Sequence, residues 1–270
     1  LNSFPENPQQ APESPAAGEV LTAAPAAPPD PIWTGMDVFR LFLMGAIILF
    51  VSIFALLIFV PGASFQQRAL RLAKSAELLI VAQMLAYLLL LAYMYILVKK
   101  ERRSPTFWKA IHWNWPRTVW PYLVVGVVLQ IFLLVTERFL PLPRETPFDA
   151  LLRRPSTVLL IAIFAVTLGP LMEELFFRGF LYPVLARRLG MAAGIAVTAL
   201  GFGLMHAAQY GYSWASVFLI FFVGLVLGVV RAVQNSVAAG VLVHAAYNGT
   251  IILMLLIATD GLRHLEKLNQ

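Results

Sequence analysis

Apolar residues run along this chain in long blocks rather than short alternations, and the blocks have the length of membrane crossings. No charged residue falls within 41–67, 78–98, 118–136, 155–172, 189–230 or 232–259. A helix needs about 18–20 predominantly apolar residues to cross a bilayer, and the two longest blocks can each hold more than one pass. With turn and charge signals as boundaries, the pattern predicts helices over 37–60, 78–98, 118–136, 156–186, 191–209, 214–230 and 236–259. The last is one long crossing or two shorter pieces. The expected fold is therefore all-α: a polytopic integral membrane protein with seven or eight transmembrane helices around an intramembrane polar cavity.

The fourth of these helices is the unusual one. At 1.5 Å per residue it would be about 45 Å long, so it must tilt, bend or project beyond the hydrocarbon. Gly169 and Pro170 give it a place to bend.

Composition supports the same class. The chain is 60% hydrophobic with a mean hydropathy of +0.77, and a soluble fold would have nowhere to put so much apolar surface. Residues 1–31 hold eight prolines and seven alanines without apolar periodicity, so residues 1–35 read as a disordered Pro/Ala-rich tail. The helical domain then covers 36–260, and 261–270 is a short polar tail. The chain opens at Leu1 with no basic region followed by a short apolar core, which argues against a retained signal peptide.

The net charge of +6 is spread through the loops between helices, the pattern of topological anchoring rather than nucleic-acid binding. Its densest cluster is Lys99, Lys100, Arg102, Arg103, Lys109 and Arg117. By the excess of basic residues on cytoplasmic loops, this cluster and the N-terminus face the cytoplasm, with Arg187, Arg188 and Arg231 on the same side. Trp113 and Trp115 in that loop read as interfacial anchors, and His112 as a bystander. The chain has no cysteine, which excludes thiolate nucleophiles, disulfides and cysteine metal clusters.

Chemistry concentrates in one segment, LGPLMEELFFRGFL at 168–181. Ionisable groups at such depth are costly unless paired or used. Glu174 and Arg178 are four residues apart and can pair along one helix face, whereas Glu173 points about 100° away. Counting rises from the basic ends, His206 on the next, antiparallel helix reaches about the depth of Glu173. His244 lies somewhat lower but within reach, and Asn248 shares its face one turn on. A carboxylate in an apolar cavity is a better general base than a solvated one. Glu173 could therefore activate a water, with His206 holding it or relaying its proton, while His244 and Asn248 donate to the developing oxyanion. Ser213, Ser216 and Ser236 lack the strand-to-helix setting of a serine nucleophile. A zinc site built from Glu173, His206 and His244 fits the same atoms, although the HExxH pattern is absent.

Three blocks, EELFFR at 173–178, FGLMH at 202–206 and HAAYN at 244–248, occur in order on these helices. In this respect the sequence resembles the CAAX prenyl endopeptidase and bacteriocin-processing family, the type II CAAX protease-like (Abi) membrane proteins. The resemblance covers roughly 156–250. It implies that Glu173 and His206 activate water, that His244 and Asn248 form the oxyanion site, that Glu174 and Arg178 support them, and that neither cofactor nor metal is needed. It also implies a prenylated or transmembrane peptide as substrate, with membrane lipid as the other partner, in a bacterial inner (plasma) membrane. A non-catalytic scaffold or bacteriocin immunity protein and a proton-coupled transporter using Glu173 are the alternatives from other classes.

Overall fold

The protein is described here from a computed structural model covering residues 30–265. Most of the predicted N-terminal tail, residues 1–29, and the last five residues of the polar end lie outside the described residues.

Among the described residues the fold is all-helical, and helix occupies each predicted crossing, the fourth divided among three α-helices and a π segment. Helix α1 spans Gly35–Leu56; the short amphipathic α2, Phe65–Ala73, leads into α3, Ala76–Ile96; a π turn, Leu97–Glu101, extends it. After the small α4, Phe107–Ala110, come α5, Trp120–Glu137, and α6, Pro155–Val166. Helix α7, Leu168–Glu174, runs through a π segment, Leu175–Leu181, into α8, Tyr182–Leu189. Helices α9, Met191–Met205, α10, Trp214–Gln234, and α11, Val237–Ala258, complete the bundle. Among the described residues six helices are long and apolar enough to cross a membrane, taking α6 to α8 as one; α9 is shorter. The last predicted crossing is a single helix.

Large apolar side chains such as Phe42, Phe50, Val128, Leu200 and Ile257 stay exposed on the outer faces, where a bilayer rather than water completes the burial. Inside, α5 lies against α11, α9 against α10 and α8, and α1 against α3. Contact between α5 and α11 is backbone to backbone. A Cβ at Gly126 would stand 2.4 Å from Val243 O and 2.8 Å from Tyr247 N, so only glycine fits there.

The long fourth crossing does bend, at Thr167 (φ −119, ψ −90), just before the Gly169–Pro170 pair. Pro170 has no N–H for the carbonyl four residues back and its ring crowds that turn, so the break falls N-terminal to the proline. The α9 helix stops at Met205, four residues before the predicted end at 209. The His206 N–H turns to Gly203 O at 3.2 Å, leaving Phe202 O to accept the His206 ring Nδ1–H at 2.8 Å. Helix α10, by contrast, runs on past Arg231 to Gln234. Arg231 is buried and bonded inward rather than marking a helix end at the membrane surface.

Residues 30–34, expected in the tail, pack against the bundle. Trp33 is 1% exposed, and its Nε1–H donates to Phe180 O at 3.0 Å. Arg187 donates to Pro31 O and Trp33 O, while His112 Nε2 meets Asp30 Oδ2 at 2.9 Å. Thr34 precedes α1 and bonds Asp37 Oδ2, which Arg102 also holds. Asn114 donates to Asn235 O. The basic loop, residues 30–34, Arg187 and Asn235 are thereby gathered at one end of the bundle. The Trp33 indole and the Arg187 fork found backbone partners 147 to 156 residues away along the chain, which local composition does not reveal.

Candidate active site

Glu173 and Glu174 close α7, and the segment after them leaves the α register. Wider π turns of this kind occur mostly as local insertions and often at functional sites. Here the two carboxylates diverge as helix geometry demands. Glu174 and Arg178 are both fully buried and paired, Arg178 Nη1 donating to Glu174 Oε1 at 2.8 Å. Arg178 Nη2 donates to Gly224 O at 2.9 Å, and its guanidinium lies 4.7 Å from the centre of the Phe202 ring. Glu173, 15% exposed, faces the histidines instead.

The two histidines arrive from opposite sides. Glu173 Oε2 is 4.0 Å from His206 Nε2 and 3.7 Å from His244 Nε2, both beyond direct hydrogen bonding. Three side chains from α7, the end of α9, and α11 thus converge on one spot without being bonded to each other. Phe202 lies between the two imidazoles, 4.8 Å from His206 and 5.8 Å from His244 between ring centres. Their partners assign the tautomers. His206 Nδ1 must donate to the Phe202 carbonyl, which leaves Nε2 as the acceptor of the neutral ring. His244 Nδ1 donates to Glu174 Oε1 at 3.1 Å, so its Nε2 accepts when the ring is neutral and donates only as imidazolium.

Glu174 Oε1 therefore serves two donors at once, while its Oε2 is buried without a partner. The wall beside Oε2 is Gly240, where a Cβ would stand 2.7 Å away. Asn248 shares the His244 face as its spacing requires, but its Nδ2 donates to Ala165 O at 2.7 Å. That carbonyl lies in the last turn of α6, where the break at Thr167 leaves acceptors to be satisfied. One amide hydrogen of Asn248 is thus committed to holding the bend, and a second is left to donate.

Of the six predicted residues, Glu173, His206 and His244 converge without bonding, Arg178 pairs with Glu174, which holds His244, and Asn248 ties α11 to α6. Ser213 and Ser236 cap α10 and α11 by accepting from Ser216 N and Ala239 N. Among the described residues no group of three or more His, Cys, Asp or Glu is placed to hold a metal ion. With both Nδ1 atoms and Glu174 Oε1 engaged, the atoms that face the shared spot are Glu173 Oε2 and the two Nε2 atoms. Sequence reasoning missed Phe202, Gly224 O and Gly240. Phe202 opens the FGLMH block and was visible there; a carbonyl acceptor and a close-approach glycine leave no local signal.

A helical bundle with an apolar exterior and a buried glutamate–histidine–arginine group is an integral membrane protein with an intramembrane polar site. Residues 155–250 match the family model described as Type II CAAX prenyl endopeptidase Rce1-like, which contains every residue of this site. Over this core the chain is similar to that CAAX protease-like family, and the match supports a CAAX-type intramembrane protease at the level of the family. Comparison with curated proteins and with solved structures gave no match.

Proposed function

We propose that the protein is a glutamate-dependent intramembrane endopeptidase in which Glu173 activates water against a peptide bond near a lipidated C-terminus. The observation that carries this reading is the convergence of the Glu173 carboxylate with the Nε2 atoms of His206 and His244 in an apolar interior. A water held between Glu173 Oε2 and His206 Nε2 loses a proton to the carboxylate as its oxygen attacks the carbonyl carbon. The carbonyl oxygen becomes an oxyanion, met by Nε2–H of the His244 imidazolium and the second amide hydrogen of Asn248. Before the attack two carboxylates, Glu173 and Glu174, stand against two cations, Arg178 and His244; after it the oxyanion carries the charge that Glu173 has lost, so the buried group stays balanced. Collapse of the intermediate breaks the C–N bond. The leaving amine takes the proton from Glu173, directly or through His206 Nε2.

The basic end of the bundle is taken as cytoplasmic, in a bacterial inner membrane, with the N-terminus on that side. The test is cleavage of a farnesylated CAAX peptide and its unprenylated twin by wild type, Glu173→Gln and His206→Ala, each with and without a strong chelator. Prenyl-dependent cleavage lost in both variants and indifferent to chelator is the expected result. Chelator-sensitive cleavage moves the chemistry to a metal. Glu173→Gln with full activity removes the general base from the mechanism.

A further inference from the structure

Between Pro170 and Pro183 the backbone leaves the α register, and one carbonyl is left without a main-chain donor. The Tyr182 N–H bonds Phe177 O, five residues back. The next amide in line would serve Arg178 O, but residue 183 is proline and has no N–H. A buried carbonyl left unpaired is destabilising. The missing donor comes from α10: Arg231 Nε donates to Arg178 O at 3.1 Å.

Arg231 is itself held in place. It is 4% exposed, and its Nη1 donates to Asn235 Oδ1 at 2.8 Å. Asn235 ends α10 in the left-handed region (φ 47, ψ 41), and its carbonyl accepts from Asn114 Nδ2 at 2.7 Å. Arg178 is thus gripped at both ends. Its carbonyl is held by Arg231, and its guanidinium reaches Glu174 Oε1, which in turn orients His244 toward Glu173.

We propose that Arg231 is a positioning residue: by supplying the donor that Pro183 cannot, it keeps the π turn closed and fixes the backbone from which Arg178 reaches Glu174 and Gly224 O. If the segment slipped to the α register, residues after it would rotate by about 100° relative to Glu173 and Glu174. The effect on rate rests on the proteolytic reading above; the effect on the backbone does not.

The test uses the full-length protein in nanodiscs, reading peptide cleavage together with amide hydrogen exchange over 175–182. Arg231→Met keeps an apolar stem but removes the donor. It is expected to lower kcat about 10- to 100-fold with KM nearly unchanged, and to speed exchange in that segment. Pro183→Ala restores an N–H aligned with Arg178 O, so Arg231→Met combined with Pro183→Ala should recover most of the rate and the protection. A merely structural arginine would not be rescued at residue 183. A double variant no better than Arg231→Met, or unchanged exchange in Arg231→Met, overturns the proposal. Should Arg231→Met not fold, Asn235→Gly keeps the left-handed turn while releasing the guanidinium. It should speed exchange in the same segment to a smaller degree, and unchanged exchange there overturns the proposal equally. If wild type cleaves neither peptide, the proteolytic reading fails by itself and the exchange measurements still decide the role of Arg231.

Discussion

Replacing Gly240 by alanine places one methyl group against the fully buried carboxylate of Glu174. The new Cβ would stand 2.7 Å from Glu174 Oε2 and 3.4 Å from its Cδ. Carbon and oxygen rest at about 3.3 Å or more, so the carboxylate must retreat by roughly 0.6 Å. It has little freedom to do so, because Oε1 holds Arg178 Nη1 at 2.8 Å and His244 Nδ1 at 3.1 Å. A retreat of that size along either bond takes it beyond or to the edge of hydrogen-bonding range. Overpacking a well-filled interior costs about 1–3 kcal/mol, and a weakened charge-assisted bond in a buried site costs about 1.5–3 kcal/mol. The expected loss is about 2.5–6 kcal/mol of stability, with the peptidase rate down by about tenfold or more because His244 loses the carboxylate that orients its ring. Thermal unfolding in nanodiscs and kcat on the cleaved peptide measure the two effects. Glu174→Asp draws the carboxylate back by one methylene and should reduce the cost of Gly240→Ala when the two are combined. A Gly240→Ala protein with wild-type stability and rate, or a penalty undiminished when Glu174→Asp is added, would refute the reasoning.

Other outcomes follow from the same geometry. Gly126→Ala should destabilise the protein by about 3 kcal/mol or more, since the obstructing atoms are α11 backbone that cannot turn aside, and thermal unfolding will register it. Asp37→Asn should lower the unfolding temperature clearly, because the 1% exposed Asp37 anchors both Arg102 and the start of α1; Glu101→Gln, in an exposed pair with Arg40, should leave it within error. Asn248→Ala should lower kcat more than it raises KM and also speed hydrogen exchange around Ala165, the carbonyl its side chain now holds. Intact protection at Ala165 would show that the α6 bend does not depend on that amide.

Much of the membrane architecture is written into local pattern. Six uncharged blocks marked the helices, because only a continuous apolar run with internally satisfied backbone can cross lipid. Pro170 announced the bend, although the break itself falls at Thr167, and the Glu174–Arg178 pair followed from a spacing of four. What local pattern misplaced were the charges and turns whose partners lie far along the chain. Arg231 read as a boundary charge at the end of a helix, yet its guanidinium faces inward to a carbonyl that Pro183 left unpaired. Trp33 read as tail, yet it is buried against Phe180.

By itself the sequence determined the all-helical membrane class, the order of the helices and the small set of ionisable residues that lipid would not tolerate without a use. Tertiary structure alone decided that Glu173 faces Nε2 of both histidines while Glu174 is walled in by Gly240. Helix period specifies which face a side chain leaves from, but the depth and distance at which faces from α7, α9 and α11 meet are set by how closely those helices pack and where each one breaks.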